Sequence, residues 1–129
     1  MATATQPIEV APSPREWRPH RGPQERFCRS TAFELLYGGQ AGGGKSIALL
    51  LEAARWVHVP RYRAVIFRRI YPSLERSLIA EAWNIYPSLG GVYNQSSRRW
   101  TFPVGAVIEF GHLEHEHSVH AYQSAEYAF

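Results

Sequence analysis

Aspartate is missing from the 129 residues: all 11 acids are glutamate, and of the 14 basic residues only Lys45 is not arginine. Cysteine is reduced to Cys28, which excludes an internal disulfide and leaves the fold to its core, as expected in a reducing compartment. No apolar run approaches the roughly 18 residues that cross a bilayer. The opening MATATQPIEVAPSPREW lacks the basic-then-apolar layout of a signal peptide. These absences point to a cytoplasmic protein and away from thiol chemistry.

What is present suits one folded domain. Hydrophobic residues make up 45% and charged residues 19% of the chain, well away from the composition of disordered sequences. A chain this long buries roughly two thirds of its unfolded surface in a single core. The formal net charge of +3 is compatible with a polyanionic partner and too small to establish one.

Five of the nine prolines fall within the first 23 residues, which show no apolar period and read as an extended arm. Residues 24–30 form a short helical stretch, and Phe33-Glu34-Leu35-Leu36-Tyr37 reads as a buried strand ending in Gly38-Gly39. Helix formers then run from Ser46 to Trp56 until Pro60 closes the segment, and Ala64 to Phe67 reads as a second buried strand. Pro72 opens a helix expected to reach Tyr86. Beyond it, residues 92–93, 99–102 and 106–110 read as short antiparallel strands, and Glu126-Tyr127-Ala128-Phe129 as the opening of another apolar strand.

Between the first strand and the first long helix lies Gly39-Gln40-Ala41-Gly42-Gly43-Gly44-Lys45-Ser46, which fits G-x-x-x-x-G-K-S/T, the Walker A spacing. The spacing has a physical cause. Glycines let successive backbone N–H groups turn inward around phosphates, and the new helix offers them its positive end. The lysine reaches the terminal phosphates, and the hydroxyl binds Mg²⁺. A nucleotide and Mg²⁺ are the expected ligands, with Ser46 as the metal ligand, and the chain's single lysine sits at the position that needs one.

Hydrolysis in this class also needs an apolar strand ending in an aspartate that holds Mg²⁺. With no aspartate in the chain, that Walker B residue lies outside these 129 positions, and the sequence is expected to stop just before it. Alone it should bind nucleotide weakly and hydrolyse it poorly. Loss of a neighbouring Walker B strand would also bare the edge of Phe33 to Tyr37, an association hazard.

Several segments together carry a family likeness: Trp17-Arg18-Pro19 with Gly22-Pro23-Gln24; Leu36-Tyr37-Gly38-Gly39 leading into the glycine-rich loop; Phe67-Arg68-Arg69 with Tyr71-Pro72-Ser73-Leu74; and Gly105-Ala106-Val107-Ile108-Glu109-Phe110-Gly111 with Tyr122-Gln123-Ser124-Ala125-Glu126-Tyr127. From about Trp17 to Phe129 the chain resembles the N-terminal ATPase region of the large terminase subunit of tailed bacteriophages. The resemblance implies an α/β fold of the ASCE-like P-loop NTPase kind, with a parallel core sheet, here incomplete, and a small antiparallel hairpin insertion. It divides the chain into an arm over residues 1–23 and a partial ATPase domain over residues 24–129, with the nuclease domain absent.

The resemblance further implies an ATP-driven motor that moves double-stranded DNA into a capsid in a phage-infected or prophage-bearing bacterium. In the complete subunit it would act as a homo-oligomeric ring with the portal and the small terminase subunit as partners. Carried over by position, Gly39, Gln40, Ala41, Gly42, Gly43, Gly44, Lys45 and Ser46 would hold phosphate and metal. Gln24 would read the adenine edge, for which an amide offers both a donor and an acceptor. Arg68 and Arg69, at the end of a buried strand, would meet the γ-phosphate or act as an arginine finger toward a neighbour, or else stand as solvated strand-end charges. The alternatives are a truncated, non-catalytic prophage remnant and a fragment of another P-loop protein such as a helicase-like one.

His112, His115, His117 and His120, with Glu114 and Glu116, carry metal-ligand chemistry, but no single regular element converges all four imidazoles, and the segment reads as an ordinary polar stretch. Arg98 and Arg99 beside Trp100 either touch a DNA backbone or solvate a hairpin. The four tryptophans are spread along the chain and read as core or interface residues.

Overall fold

Alternation along one strand organises the molecule. In β1 (Arg63–Arg68) Ala64 and Ile66 are buried, while Arg63, Val65 and Phe67 are only partly so. The computed structural model describes residues 17–32, 34–38, 44–69, 72, 74–113 and 126–129. Within them, α1 (Pro23–Arg29) and α2 (Lys45–Ala54) precede β1. A π-helical stretch, Leu74–Ile79, follows it and runs into α3 (Ala80–Ile85) and a 3-10 turn, Tyr86–Leu89. Three strands complete the order: β2 (Val92–Asn94), β3 (Arg99–Thr101) and β4 (Val107–His112).

The sheet runs β1-β4-β3-β2. β4 is parallel to β1, with Arg63 opposite Val107 and Arg68 opposite His112, and antiparallel to β3. The strands expected at residues 92–110 do pair antiparallel with one another, and β4 in addition pairs parallel with β1, so the β2–β3 hairpin extends one mixed sheet. The segment between β1 and β4 contains α3, and a helical crossover is what a parallel pairing requires. On the opposite edge of β1, the Ala128 N–H donates to the Arg63 carbonyl and the Val65 N–H to the Phe129 carbonyl, at 2.7 and 2.9 Å.

α2 and the helical segment around α3 cover one face of this sheet. Leu50 and Ala53 of α2, Leu78, Ile79, Ala82 and Ile85, and Ala64, Ile66, Ile108 and Phe110 of the sheet form one buried cluster with Tyr86, Trp100 and Phe102. The Tyr86 and Trp100 rings meet edge-on at 5.4 Å and 83°, the arrangement favoured by the ring quadrupoles. Gly91 is where these parts close up, since a Cβ there would lie 2.9 Å from the Tyr86 carbonyl and 3.0 Å from the Trp100 ring. Two buried tyrosine hydroxyls anchor α2 from below: Tyr86 donates to the Leu50 carbonyl and Tyr62 to the Ala53 carbonyl, both at 2.8 Å.

Two expectations are corrected. Residues 34–38 are not strand, and Leu35 and Leu36 are 47% and 95% exposed. A buried strand needs hydrogen-bonding neighbours, and β1 has none to give, since its two edges are occupied by β4 and by residues 128–129. α2 ends at Ala54, two residues early, and leaves Trp56 half exposed in the turn that follows. The first 16 residues of the arm lie outside the described residues, whereas Trp17 packs against the core. Among the described residues no helix is long and apolar enough to cross a membrane.

Candidate functional site

Gly44 is the hinge on which the site turns. It is the N-cap of α2 with φ of 75°, in the left-handed region that glycine enters at no steric cost, and no side chain caps the helix. Its carbonyl accepts the first helical bond, from the Ala48 N–H at 3.0 Å, and a second from Gln24 Nε2 at 2.9 Å. The positive φ is what requires glycine here, and a Cβ on Gly44 would also stand 2.7 Å from that Nε2 and force the Gln24 amide to shift.

Gln24 reaches this point because α1 opens on Gly22, at φ of 102°, and Pro23, a residue suited to a first helical turn. Only 4% of Gln24 is exposed. Its Oε1 accepts the His20 N–H while its Nε2 serves Gly44, so one side chain ties the chain before α1 to the start of α2. α1 and α2 are joined a second time by Arg55, whose guanidinium holds both the Cys28 carbonyl and the Glu52 carboxylate. Burial pushes the Cys28 thiol up from its usual range, the opposite of what a reactive thiol needs.

Lys45 and Ser46 form the first turn of α2, both partly buried. Arg68 comes to them from β1. Its even position in the alternation of Ala64 and Ile66 sends it to the face that α2 covers, and its Nη2 donates to Ser46 Oγ at 3.1 Å. Arg68 Nε is buried and has no hydrogen-bond partner among the described residues. Arg69 lies beyond the strand and is exposed. Gln24, Gly44, Lys45, Ser46 and Arg68 are thus brought together from three segments, and Arg69 is not shown to join them. Gly39, Gln40, Ala41, Gly42 and Gly43 lie outside the described residues, as do His115, His117 and His120.

The donor set suits a polyphosphate with its cation. A helix start with no side-chain cap, a lysine and an arginine fork present positive charge, and the Ser46 hydroxyl can ligate a hard cation through oxygen. The chain matches no family model, no curated protein and no solved structure.

One polar centre was missed by sequence reasoning. Glu109, in the middle of β4, is 8% exposed and is held by Arg63, Arg99 and the Tyr127 hydroxyl. The Arg63 guanidinium also lies 5.0 Å from the centre of the Tyr127 ring. Burial pushes the carboxyl up, but the hydrogen bonds from Tyr127 and Arg99 and the charges of Arg99 and Arg63 outweigh it and hold Glu109 below its usual range. The signal was available: a lone acid within Ala106-Val107-Ile108-Glu109-Phe110 needs buried partners. Arg99 is therefore tied to an acid on the neighbouring strand, a partner the sequence reading did not foresee, while its side chain stays 43% exposed.

Proposed function

We propose that this chain is the ATP-binding part of a DNA-packaging motor of the terminase large-subunit kind, with an α/β core of the P-loop class. The observation that carries the nucleotide part is the convergence of Gln24, Gly44, Lys45, Ser46 and Arg68 at the first turn of α2. A chance glycine-rich match would have no reason to be met by the glutamine and the arginine that the same reading singles out from segments 20 residues before and 22 residues after it. The terminase part rests on the sequence segments flanking these residues.

In this reading Lys45 and the opening N–H groups of α2 bind the phosphates, Ser46 ligates Mg²⁺, and Gln24 fixes the mouth of the loop by holding Gly44. The bound metal would neutralise phosphate charge during transfer to water. No aspartate is present to complete its coordination, so the 129 residues bind nucleotide and turn it over poorly. Double-stranded DNA, the portal, the small subunit and a ring of copies belong to the assembled motor.

Binding of a fluorescent ATP analogue, followed by anisotropy with Mg²⁺ present, tests the first part. Lys45→Ala should abolish a signal that the parent chain gives, and no signal from the parent chain would sink the reading. Linear double-stranded DNA should shift ATP affinity, and by linkage ATP should shift DNA affinity equally. An equal response to single-stranded DNA would favour a helicase-like relative instead.

A further inference from the structure

The bond between Arg68 and Ser46 joins two groups that the nucleotide reading gives separate tasks. Ser46 Oγ is the oxygen assigned to Mg²⁺, and in the structure it accepts a hydrogen bond from a guanidinium at 3.1 Å. A guanidinium and a divalent cation on the same hydroxyl oxygen would stand a few ångströms apart as like charges, a strongly unfavourable placement in a partly buried site. The two are therefore competitors for Ser46.

The present anchor of Arg68 is also weak for an arginine. Its partner is a neutral hydroxyl, its Nε is buried without a hydrogen bond, and among the described residues no carboxylate pairs with it. Glu52 and Glu109, the acids that α2 and β4 contribute, are committed to Arg55 and to Arg63 and Arg99 respectively. A phosphate oxygen would offer the same fork a charged, bidentate partner, roughly twice as strong per bond as a neutral one.

We propose that Arg68 is a resident cation on the Ser46 hydroxyl, yielding it to the magnesium of a bound nucleotide only when a terminal phosphate draws the guanidinium away. The proposal rests on the nucleotide-binding reading and adds regulation to it. Arg68 thereby sets how much Mg²⁺ the site requires and makes that requirement depend on the γ-phosphate. A triphosphate exchanges the neutral partner of Arg68 for a charged one and frees Ser46. A diphosphate offers no such exchange, leaves Arg68 in place, and needs more Mg²⁺ to bind.

The test is a Mg²⁺ titration of the binding of fluorescent ATP and ADP analogues to the chain. The parent chain should need more Mg²⁺ for half-maximal ADP binding than for ATP binding. Arg68→Gln should lower the requirement for ADP about fivefold or more and bring the two nucleotides together, the size of an ordinary coupling between sites. Arg68→Lys keeps the charge and the strand, and should retain a difference between the nucleotides even if the glutamine variant folds poorly.

A Ser46→Ala background separates this account from a general charge effect. With the hydroxyl gone, Arg68→Gln should produce little further shift. An equal shift in that background, or an unchanged Mg²⁺ requirement in an Arg68→Gln chain that still binds nucleotide, overturns the proposal and leaves the nucleotide reading standing. Failure of the parent chain to bind either analogue at any Mg²⁺ concentration sinks the reading and the proposal together.

Discussion

Gln24 Nε2 donates to the Gly44 carbonyl from 20 residues away, and its Oε1 takes the His20 N–H. The amide bridges the chain on either side of the glycine-rich loop. Each amide function keeps one further hydrogen-bonding capacity, but Gln24 is only 4% exposed, so meeting a base edge would require the side chain to be uncovered. Gly44→Ala should destabilise the chain by about 1–2 kcal/mol from the left-handed backbone alone, and by more because its Cβ would strike the Gln24 amide 2.7 Å away. Urea unfolding measures the first effect. ATP affinity should fall beyond what the lost stability explains, because the start of α2 moves.

Gln24→Ala separates support from base recognition. It leaves the His20 N–H without its partner and the Gly44 carbonyl with only the Ala48 N–H, and should cost about 1–3 kcal/mol of stability. If Gln24 also reads adenine, ATP affinity should fall more than GTP affinity, and the ratio of the two is the quantity to measure. Equal losses would confine Gln24 to holding the loop.

Glu109 predicts the acid limb of stability. Its carboxyl is held below the usual value of 4.5, so the folded state releases a proton more readily than the unfolded state. The stabilisation is complete above about pH 4.5 and is lost as pH falls through the lower folded value. Melting temperature should therefore drop through that window in the parent chain and drop less in Glu109→Gln. At neutral pH the glutamine variant should melt lower, because Arg63 and Arg99 lose their shared anion.

How much of this could be read in advance follows from how local each feature is. α1, α2 and β1 declare themselves through the stretch 24–30, the glycines before Lys45, and the run Ala64 to Phe67, all effects of neighbours in the chain, although Pro23, read as part of the arm, opens α1. The parallel pairing of β4 with β1 is not local, since the same five apolar-rich residues suit either direction. Arg68 and Arg69 are indistinguishable as letters. Strand parity and the end of β1 at Arg68 send one to Ser46 and leave the other exposed. Residues 34–38 misled for a related reason, because an apolar run shows an appetite for burial without showing that a sheet edge is available.

Leu36 carries the consequence of that last point. At 95% exposure, beside a half-exposed Leu35 and a Tyr37 ring stacked 5.4 Å from Phe27, it presents apolar surface to solvent. Leu36→Ser should leave unfolding free energy within about 0.5 kcal/mol of the parent and should reduce any concentration-dependent association seen by sedimentation. Association unchanged by the substitution would place the sticky surface elsewhere.

Tyr62 and Tyr86 predict the alkaline limb. Burial, with a smaller push from the Glu52 charge, raises the Tyr62 phenol to about 12, and burial raises Tyr86 well above its ordinary value. A phenol whose folded value exceeds its unfolded value stabilises the fold fully below about pH 10 and loses that contribution as pH climbs toward about 12. The urea midpoint should fall across that interval, and the part of the phenolate absorbance lost in a Tyr62→Phe, Tyr86→Phe chain should be the part that appears together with unfolding. Tyr86→Phe removes the donor to the Leu50 carbonyl and should cost about 1 kcal/mol at neutral pH. Tyr62→Phe removes the donor to Ala53 in the same way. With both hydroxyls replaced the alkaline fall should flatten, because neither phenolate is then available to favour the unfolded chain. A double variant that still loses stability as steeply between those pH values would take the alkaline limb away from these two phenols.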